Sequence, residues 1–328
     1  MKINWHEYLK EIKGSQYFKI IQPIFKGSTS DKKFYIETVQ GHRLLLKIVP
    51  SNQKSFKFNE FQSLRYLDKI KIPVNVPITH GEFDEGNSTY FIYRWLDGTS
   101  CHEYLKNISE KRQFLIGEKA GKVLKKIHTL AFDIDIERWC TKNFEDTENL
   151  ILEYMQLKEK NTYLIDQIEN LKHYNKKLFP KKIVLCHGDY HEGNLIVTLN
   201  GEIGVIDMDK TRAFDNYFDF QTLNTLSLSN APFANGQIMG YFNNKPPKSF
   251  FEALKFGTLR IIIAQQIQKQ SSDALASDIQ IADKTLPLYL EMYENFDLDI
   301  PKWYCNAIYD ECHSTSIDDE YTIIDVIL

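Results

Sequence analysis

Two stretches of this 328-residue chain crowd polar side chains against the ends of apolar runs: Cys186-His187-Gly188-Asp189-Tyr190-His191-Glu192-Gly193-Asn194 and Val205-Ile206-Asp207-Met208-Asp209. Ile183 to Leu185 and Leu195 to Val197 read as buried strands, so the loop between them is pinned at both ends, as rigid displays of catalytic groups are. Asp189 and Asn194 lie five positions apart. That spacing suits a loop offering a carboxylate to a substrate hydroxyl and an amide oxygen to Mg²⁺. Asp207, at the end of a second strand, supplies another oxygen ligand of the hard kind Mg²⁺ prefers. The three together point to phosphoryl transfer.

A second constellation lies nearer the N-terminus. Alternation along Arg43-Leu44-Leu45-Leu46-Lys47-Ile48-Val49 puts Lys47 on a mostly apolar face with Leu45 and Val49. Glu60 falls on the apolar stripe Phe56, Glu60, Leu64, Leu67 of a helix expected over 52–69. Unpaired buried charges are costly, so a strand lysine and a helix glutamate on inward faces are expected to pair, an arrangement that holds nucleotide phosphates in kinases.

Other readings of these residues stand beside this one. His187-x-Asp189-x-His191 has the look of metal-ligand spacing, but the remaining histidines supply no second close pair, and a hydrolase needs more ligands. Asp209 reads as a turn cap or a ligand of a second metal ion. His128, on a helix face with Gly121 and Leu124, reads as a packed core residue. The odd count of five scattered cysteines, with no CxxC pair, reads as reduced, buried thiols and excludes a zinc ribbon.

The elements that must carry these groups follow from periodicity. Three β-type runs fill 17–49, the helix of 52–69 ends before Pro73, and two more strands span 78–83 and 89–95. Beyond the Asp97-Gly98 turn the pattern turns helical: Ile116, Ala120, Val123, Ile127 and Leu130 form one stripe, and further helices are expected within 144–177 and 216–295. A β-rich interlude with an Asn200-Gly201 turn interrupts them. The economical division is a small α+β lobe over 1–95 and a larger, mainly helical lobe over 96–328.

Composition narrows the function classes. The chain is 43% hydrophobic and 26% charged, enough for a sizeable core. With 40 Lys plus Arg against 44 Asp plus Glu, the formal charge is −4 and offers no general attraction to nucleic acid. No apolar run is long enough to span a membrane and the N-terminus carries no signal-peptide pattern, so neither a nucleic-acid nor a membrane partner is expected, and the location expected is cytoplasmic.

HGDYHEGN followed by IDMD resembles the aminoglycoside phosphotransferase and choline kinase family, small-molecule relatives of protein kinases. The resemblance runs in order through nearly the whole chain and implies a two-lobed kinase-like α+β fold. It implies Asp189 as the catalytic aspartate, Asn194 and Asp207 as Mg²⁺ ligands, and Lys47 with Glu60 as the phosphate-positioning pair. It also implies a nucleotide loop at Gly27, Ser28, Thr29 and Ser30, whose N–H groups face phosphate, and a hinge in FIYRWLDG. There Tyr93 takes the gatekeeper position, and Arg94, Trp95 and Leu96 meet the base of ATP or GTP through backbone groups. His187 is implied as a structural loop histidine and Asp219 as an anchor of the same loop. The chain departs from protein kinases in lacking G-x-G-x-x-G, DFG and an APE-like segment. The implied partner is a small-molecule hydroxyl acceptor, with the protein a monomer or weak homodimer. An aminoglycoside would need acidic residues after Asp215, such as Asp310, Glu311, Asp318, Asp319 and Glu320; a macrolide, choline, homoserine or sugar-like metabolite are the alternatives, and an inactive nucleotide-binding homologue is a further one.

Overall fold

The computed structural model describes residues 4–25, 31–177 and 180–304. In chain order the elements are α1 (Trp5–Tyr8), β1 (Phe18–Ile24), β2 (Lys32–Thr38), β3 (Arg43–Pro50), α2 (Lys54–Lys69), β4 (Pro77–Phe83), β5 (Ser88–Arg94), β6 (Thr99–Ser100), α3 (Cys101–Leu105), α4 (Glu110–Ile127), β7 (Ala131–Phe132) and α5 (Ile136–Gln156). They continue with α6 (Thr162–Asp166), α7 (Ile168–Lys177), β8 (Ile183–Cys186), β9 (Leu195–Val197), β10 (Ile203–Val205), β11 (Arg212–Asp215), α8 (Leu223–Phe242), α9 (Lys248–Lys269) and α10 (Ala276–Met292). The described residues divide into two compact units, one of 4–107 with 187–211 and one of 108–186 with 212–304. The Asp189 loop therefore groups with the N-terminal strands, although nearly eighty residues of the second unit precede it in sequence.

In the first unit, five antiparallel strands run in the order β1-β2-β3-β5-β4. The alternation read from the sequence sets its inner face: Phe34, Ile36, Leu46, Ile48 and Ile92 pack together with Leu9 and Ile12 from the N-terminal turn. Lys47 sits opposite Phe91 on β5 and Lys33 on β2, deep in the central strand. Helix α2 follows, but its buried stripe is Lys57, Glu60, Phe61, Leu64 and Leu67. Phe56, expected on that stripe, is 52% exposed. Glu60, Leu64 and Leu67 are buried as expected, and the stripe extends over Lys57 and Phe61 in place of Phe56, a shift of well under one residue's turn. A small sheet, β10-β9-β6, closes the unit; its β9-β10 hairpin turns at Asn200-Gly201, as the sequence suggested.

The second unit is mainly helical, with a short β11-β8-β7 sheet. β7 and β11 are absent from the periodicity reading, because runs of two and four residues carry too little pattern to detect. Tyr154, Leu171, Ile262 and Tyr293 form part of the core shared by α5, α7, α9 and α10. The closest contact is between α4 and α8. Each carries two glycines one turn apart, Gly117 and Gly121 against Gly236 and Gly240, and a Cβ on any of the four would overlap a carbonyl oxygen of the facing helix. The glycines let two backbones touch. Of the stripe read on α4, Ile116, Ala120 and Ile127 are buried and Val123 only partly covered, and Phe114, Gly117, Gly121 and Leu124 complete the buried side.

That contact generates a stability prediction. Gly236→Ala must push the Phe114 carbonyl away, and overpacking of this kind costs about 1–3 kcal/mol or more. Urea denaturation should show a lower midpoint at unchanged slope; an unchanged midpoint would mean that the helices separate freely.

Candidate active site

The first unit builds the site from a strand, a helix and a stitched loop. Lys47 Nζ lies 2.7 Å from Glu60 Oε1 and 3.8 Å from the Asp207 carboxylate. Both Lys47 and Glu60 are buried. The pairing demanded by the inward placement of two opposite charges is thus present in the fold. Burial would raise the Glu60 carboxyl, but the ammonium groups of Lys47 and Lys57 outweigh it and hold it below its ordinary value.

Lys57 is the residue that sequence reading missed. It is 2% exposed, and its ammonium lies 3.0 Å from Glu60 Oε2 and 2.7 Å from Asp31 Oδ2. Both contacts combine coulombic attraction with charge-assisted hydrogen bonding from the Lys57 ammonium. Burial works against the Lys57 charge, yet Glu60 and Asp31 keep its pKa raised. The signal available in sequence was the i, i+3 spacing of Lys57 and Glu60, which reads equally well as a surface pair.

The loop after β8 is held by its own polar groups. His187 Nε2 donates to the Ile206 carbonyl at 3.0 Å while Nδ1 accepts the Asp189 N–H at 3.2 Å. Both ring nitrogens are therefore occupied, which removes the metal-ligand reading of His187 and leaves it as the structural loop histidine. Gly188 has φ +84, and a Cβ there would overlap the Lys210 carbonyl oxygen; only glycine fits. Asn194 Nδ2 donates to the Asp189 carbonyl at 3.0 Å, and the Asn194 carbonyl accepts the Ile206 N–H at 3.1 Å. The loop and the strand end bearing Asp207 are fixed to each other through Asn194. Asp207 itself is left-handed, φ 63 and ψ 55, a conformation that Asp tolerates better than most residues.

Asp189 is partly exposed and its Oδ2 pairs with Lys210 Nζ at 2.8 Å; its other oxygen lies 3.8 Å from His191. Lys210 was not singled out from the sequence, because a lysine in a turn carries no signal until the turn is folded. Donating a hydrogen bond to the Asp189 carboxylate raises the Lys210 pKa. His191 is raised by its interaction with Glu192. The Asn194 amide oxygen and the Asp207 carboxylate are hard oxygen donors of the kind Mg²⁺ takes. Burial, and then the charge of Asp207, push the Asp209 carboxyl up against the opposing influence of Lys57 and Lys47.

At the hinge, Tyr93 is fully buried, its ring 5.7 Å from Lys47 Nζ and 5.6 Å from Phe61. Its hydroxyl has no hydrogen-bond partner among the described residues. The N–H groups expected to meet a base are engaged within the fold: Arg94 to the Val76 carbonyl at 2.8 Å, Trp95 to the Arg43 carbonyl at 2.9 Å, and Leu96 to Asn75 Oδ1 at 2.9 Å. Gly27, Ser28, Thr29 and Ser30 lie outside the described residues, as do Asp310, Glu311, Asp318, Asp319 and Glu320.

In the second unit, His128 and Asp219 pair at 3.0 Å, both buried, and the other His128 nitrogen meets Tyr241 Oη at 2.8 Å. Cys186 lies beside them and donates to the Asp215 carbonyl at 3.2 Å. These donors satisfy one another, so the cluster reads as a packed polar core. Asp219, implied as a loop anchor, holds His128.

A model of the phosphotransferase enzyme family matches residues 21–246. The chain belongs to that family. It is a small-molecule phosphotransferase with a kinase-like fold, β-rich toward the N-terminus and mainly helical toward the C-terminus. An aminoglycoside 3'-phosphotransferase of Niallia circulans is 25% identical over 224 residues, covering 66% of this chain and 80% of that protein. Among solved structures, a spectinomycin phosphotransferase bound to ADP and spectinomycin is similar at TM-score 0.55 and 17% identity, covering 86% of this chain and 91% of that one. An amicoumacin kinase bound to AMP-PNP and Ca²⁺ is similar at TM-score 0.57 and 14% identity, covering 88% and 94%. No helix among the described residues is long and apolar enough to cross a membrane.

Two measurements follow from this geometry. Tyr93→Phe removes a buried hydroxyl that has no partner, so stability should stay level or rise by about 1 kcal/mol in denaturant unfolding; a clear loss would reveal a partner. Because Glu60 is depressed when folded, its contribution is complete above the ordinary value of 4.5 and is lost as pH falls through the lower folded value. Glu60→Gln should therefore flatten the acid limb of the stability profile below about pH 4.5; an unaltered limb would assign acid unfolding elsewhere.

Proposed function

We propose that this protein transfers the γ-phosphoryl group of ATP or GTP to a hydroxyl of a small molecule, with Asp189 as catalytic base. The observation carrying this reading is the joint placement, in one unit, of a buried Lys47–Glu60 pair beside Asp207 and a loop presenting Asp189 and Asn194. Lys47 binds the triphosphate, and the 26–30 segment supplies N–H groups to it. Asn194 and Asp207 hold Mg²⁺, which when bound neutralises charge on the phosphate oxygens. Asp189 orients the acceptor hydroxyl and takes its proton, while Lys210 keeps the carboxylate oriented. Catalysis then rests on positioning and charge neutralisation.

The names of the similar proteins favour an aminoglycoside-type antibiotic as acceptor. The second acceptor class kept is a small hydroxyl-bearing metabolite or a macrolide. A cavity of about 1060 Å³ within the second unit is lined by Lys177, Lys181, Lys182, Arg212 and Arg260 against Asp146 and Asp215. None of Lys47, Asp189, Asn194 or Asp207 lines it, so it carries no argument about the acceptor.

Nucleotide consumption by the purified protein against a panel of aminoglycosides, macrolides and hydroxyl-bearing metabolites separates the two acceptor classes. Turnover on aminoglycosides alone would retain the first, on metabolites alone the second, and none on any compound would count against the kinase reading. Asp189→Asn should lower turnover by about 10²–10⁴-fold while retaining nucleotide binding, because the carboxylate acts on the acceptor. Near-normal turnover would remove Asp189 from the role. Asn194→Ala and Asp207→Ala should each raise the Mg²⁺ concentration needed for half-maximal activity; identical metal titrations would argue against the ligand assignment.

A further inference from the structure

Lys57 is not needed by the phosphoryl-transfer scheme, yet it is buried more completely than Lys47, 2% against 5% exposed. Its surroundings explain why the fold retains it. Glu60 presents one oxygen to Lys47 and the other to Lys57, so its carboxylate is held on both sides and cannot turn. Asp31 presents the third carboxylate oxygen of the group, 2.7 Å from the Lys57 ammonium and itself buried at the side chain. Asp31 also stands at the junction between the 26–30 segment and β2, so Lys57 ties the entry of that strand to helix α2.

The charge balance gives this a functional meaning. Two carboxylates, Asp31 and Glu60, face two ammonium groups, and the quartet is neutral. Without Lys57 these two carboxylates would have no ammonium but Lys47, which already has the Asp207 carboxylate 3.8 Å away. A long, flexible lysine beside an excess of buried negative charge is drawn toward that charge and away from any phosphate presented to it.

We propose that Lys57 is a second positioning lysine of the nucleotide site: by fixing Glu60 and neutralising Asp31 it leaves Lys47 free to bind a nucleotide phosphate, an inference that rests on the phosphotransferase reading above. Lys57 does not touch the nucleotide in this scheme. It acts through Lys47.

The test uses the full-length protein and a fluorescent N-methylanthraniloyl-ATP probe, with thermal unfolding measured in parallel. Lys57→Met should weaken probe binding about 10–100-fold in protein that remains folded at the assay temperature, the size expected for an outer partner that orients a binding group. Lys57→Arg, which keeps the charge, should stay within about threefold of wild type. Adding Asp31→Asn to Lys57→Met should recover most of the lost affinity, because no excess carboxylate then competes for Lys47. A purely structural role makes different predictions: lower thermal stability, unchanged affinity in the folded fraction, and no rescue of binding by Asp31→Asn. Either unchanged affinity in Lys57→Met or failure of the double variant to recover overturns the proposal. Where Lys57→Met does not fold, Lys57→Gln with and without Asp31→Asn is read by the same criteria. Wild-type protein that binds no probe would instead overturn the phosphotransferase reading itself, and this inference with it.

Discussion

Glu60 is held between two ammonium groups, and the chemistry of the first unit depends on that arrangement. Taking three or four charges out of water is unfavourable unless each finds an opposite partner in good geometry. Here the partners come from different elements: Lys47 from the centre of β3, Glu60 and Lys57 from successive turns of α2, and Asp31 from the residue preceding β2. The sheet and the helix must therefore dock in one register. A shift of α2 by a single residue would leave buried charge unpaired, whereas an apolar contact would tolerate it. The polar cluster costs stability in isolation and returns it as specificity of placement.

The loop of 187–211 follows a different logic. Its side chains hydrogen-bond mainly to its own backbone: His187 to Ile206 and Asp189, Asn194 to Asp189, His191 to Gly193. Tyr190 is fully buried and anchors the loop from below. What remains outward is a small group of oxygens and the Lys210–Asp189 pair. The residues that do chemistry are few, and the residues that hold them still are many.

Much of this was legible in sequence because its signals are local. HGDYHEGN and IDMD lie within 24 residues and carry their own strand boundaries. Lys47 and Glu60 were each visible as a charge on an apolar face, and the demand for pairing follows from that. Lys57 escaped because the phase of the α2 stripe was read from Phe56, an aromatic residue that proves exposed, and because Asp31 lies just before β2, far along the chain, where no spacing rule reaches. The engagement of the hinge N–H groups with Val76, Arg43 and Asn75 was equally hidden, since Arg43 lies across the sheet on β3 and the other two partners lie in the α2–β4 connection, one of them through its side chain. The pairing of β8 with β11 joins strands of four residues each, too short for a period to show.

The glycine contact between α4 and α8 also bears on how the chain reaches this structure. Both helices must approach backbone to backbone, and neither can bury its glycine face against solvent or against a looser partner. Yet roughly 100 residues separate them, so the loop-closure entropy of bringing them together is paid late. During synthesis α4 emerges first and waits, its small-residue face open, while the Asp189 loop is made. The second unit can complete its core only after α8 has been translated. Folding of this protein is therefore expected to be governed by a long-range helix pairing, with α4 the element most in need of protection until its partner arrives.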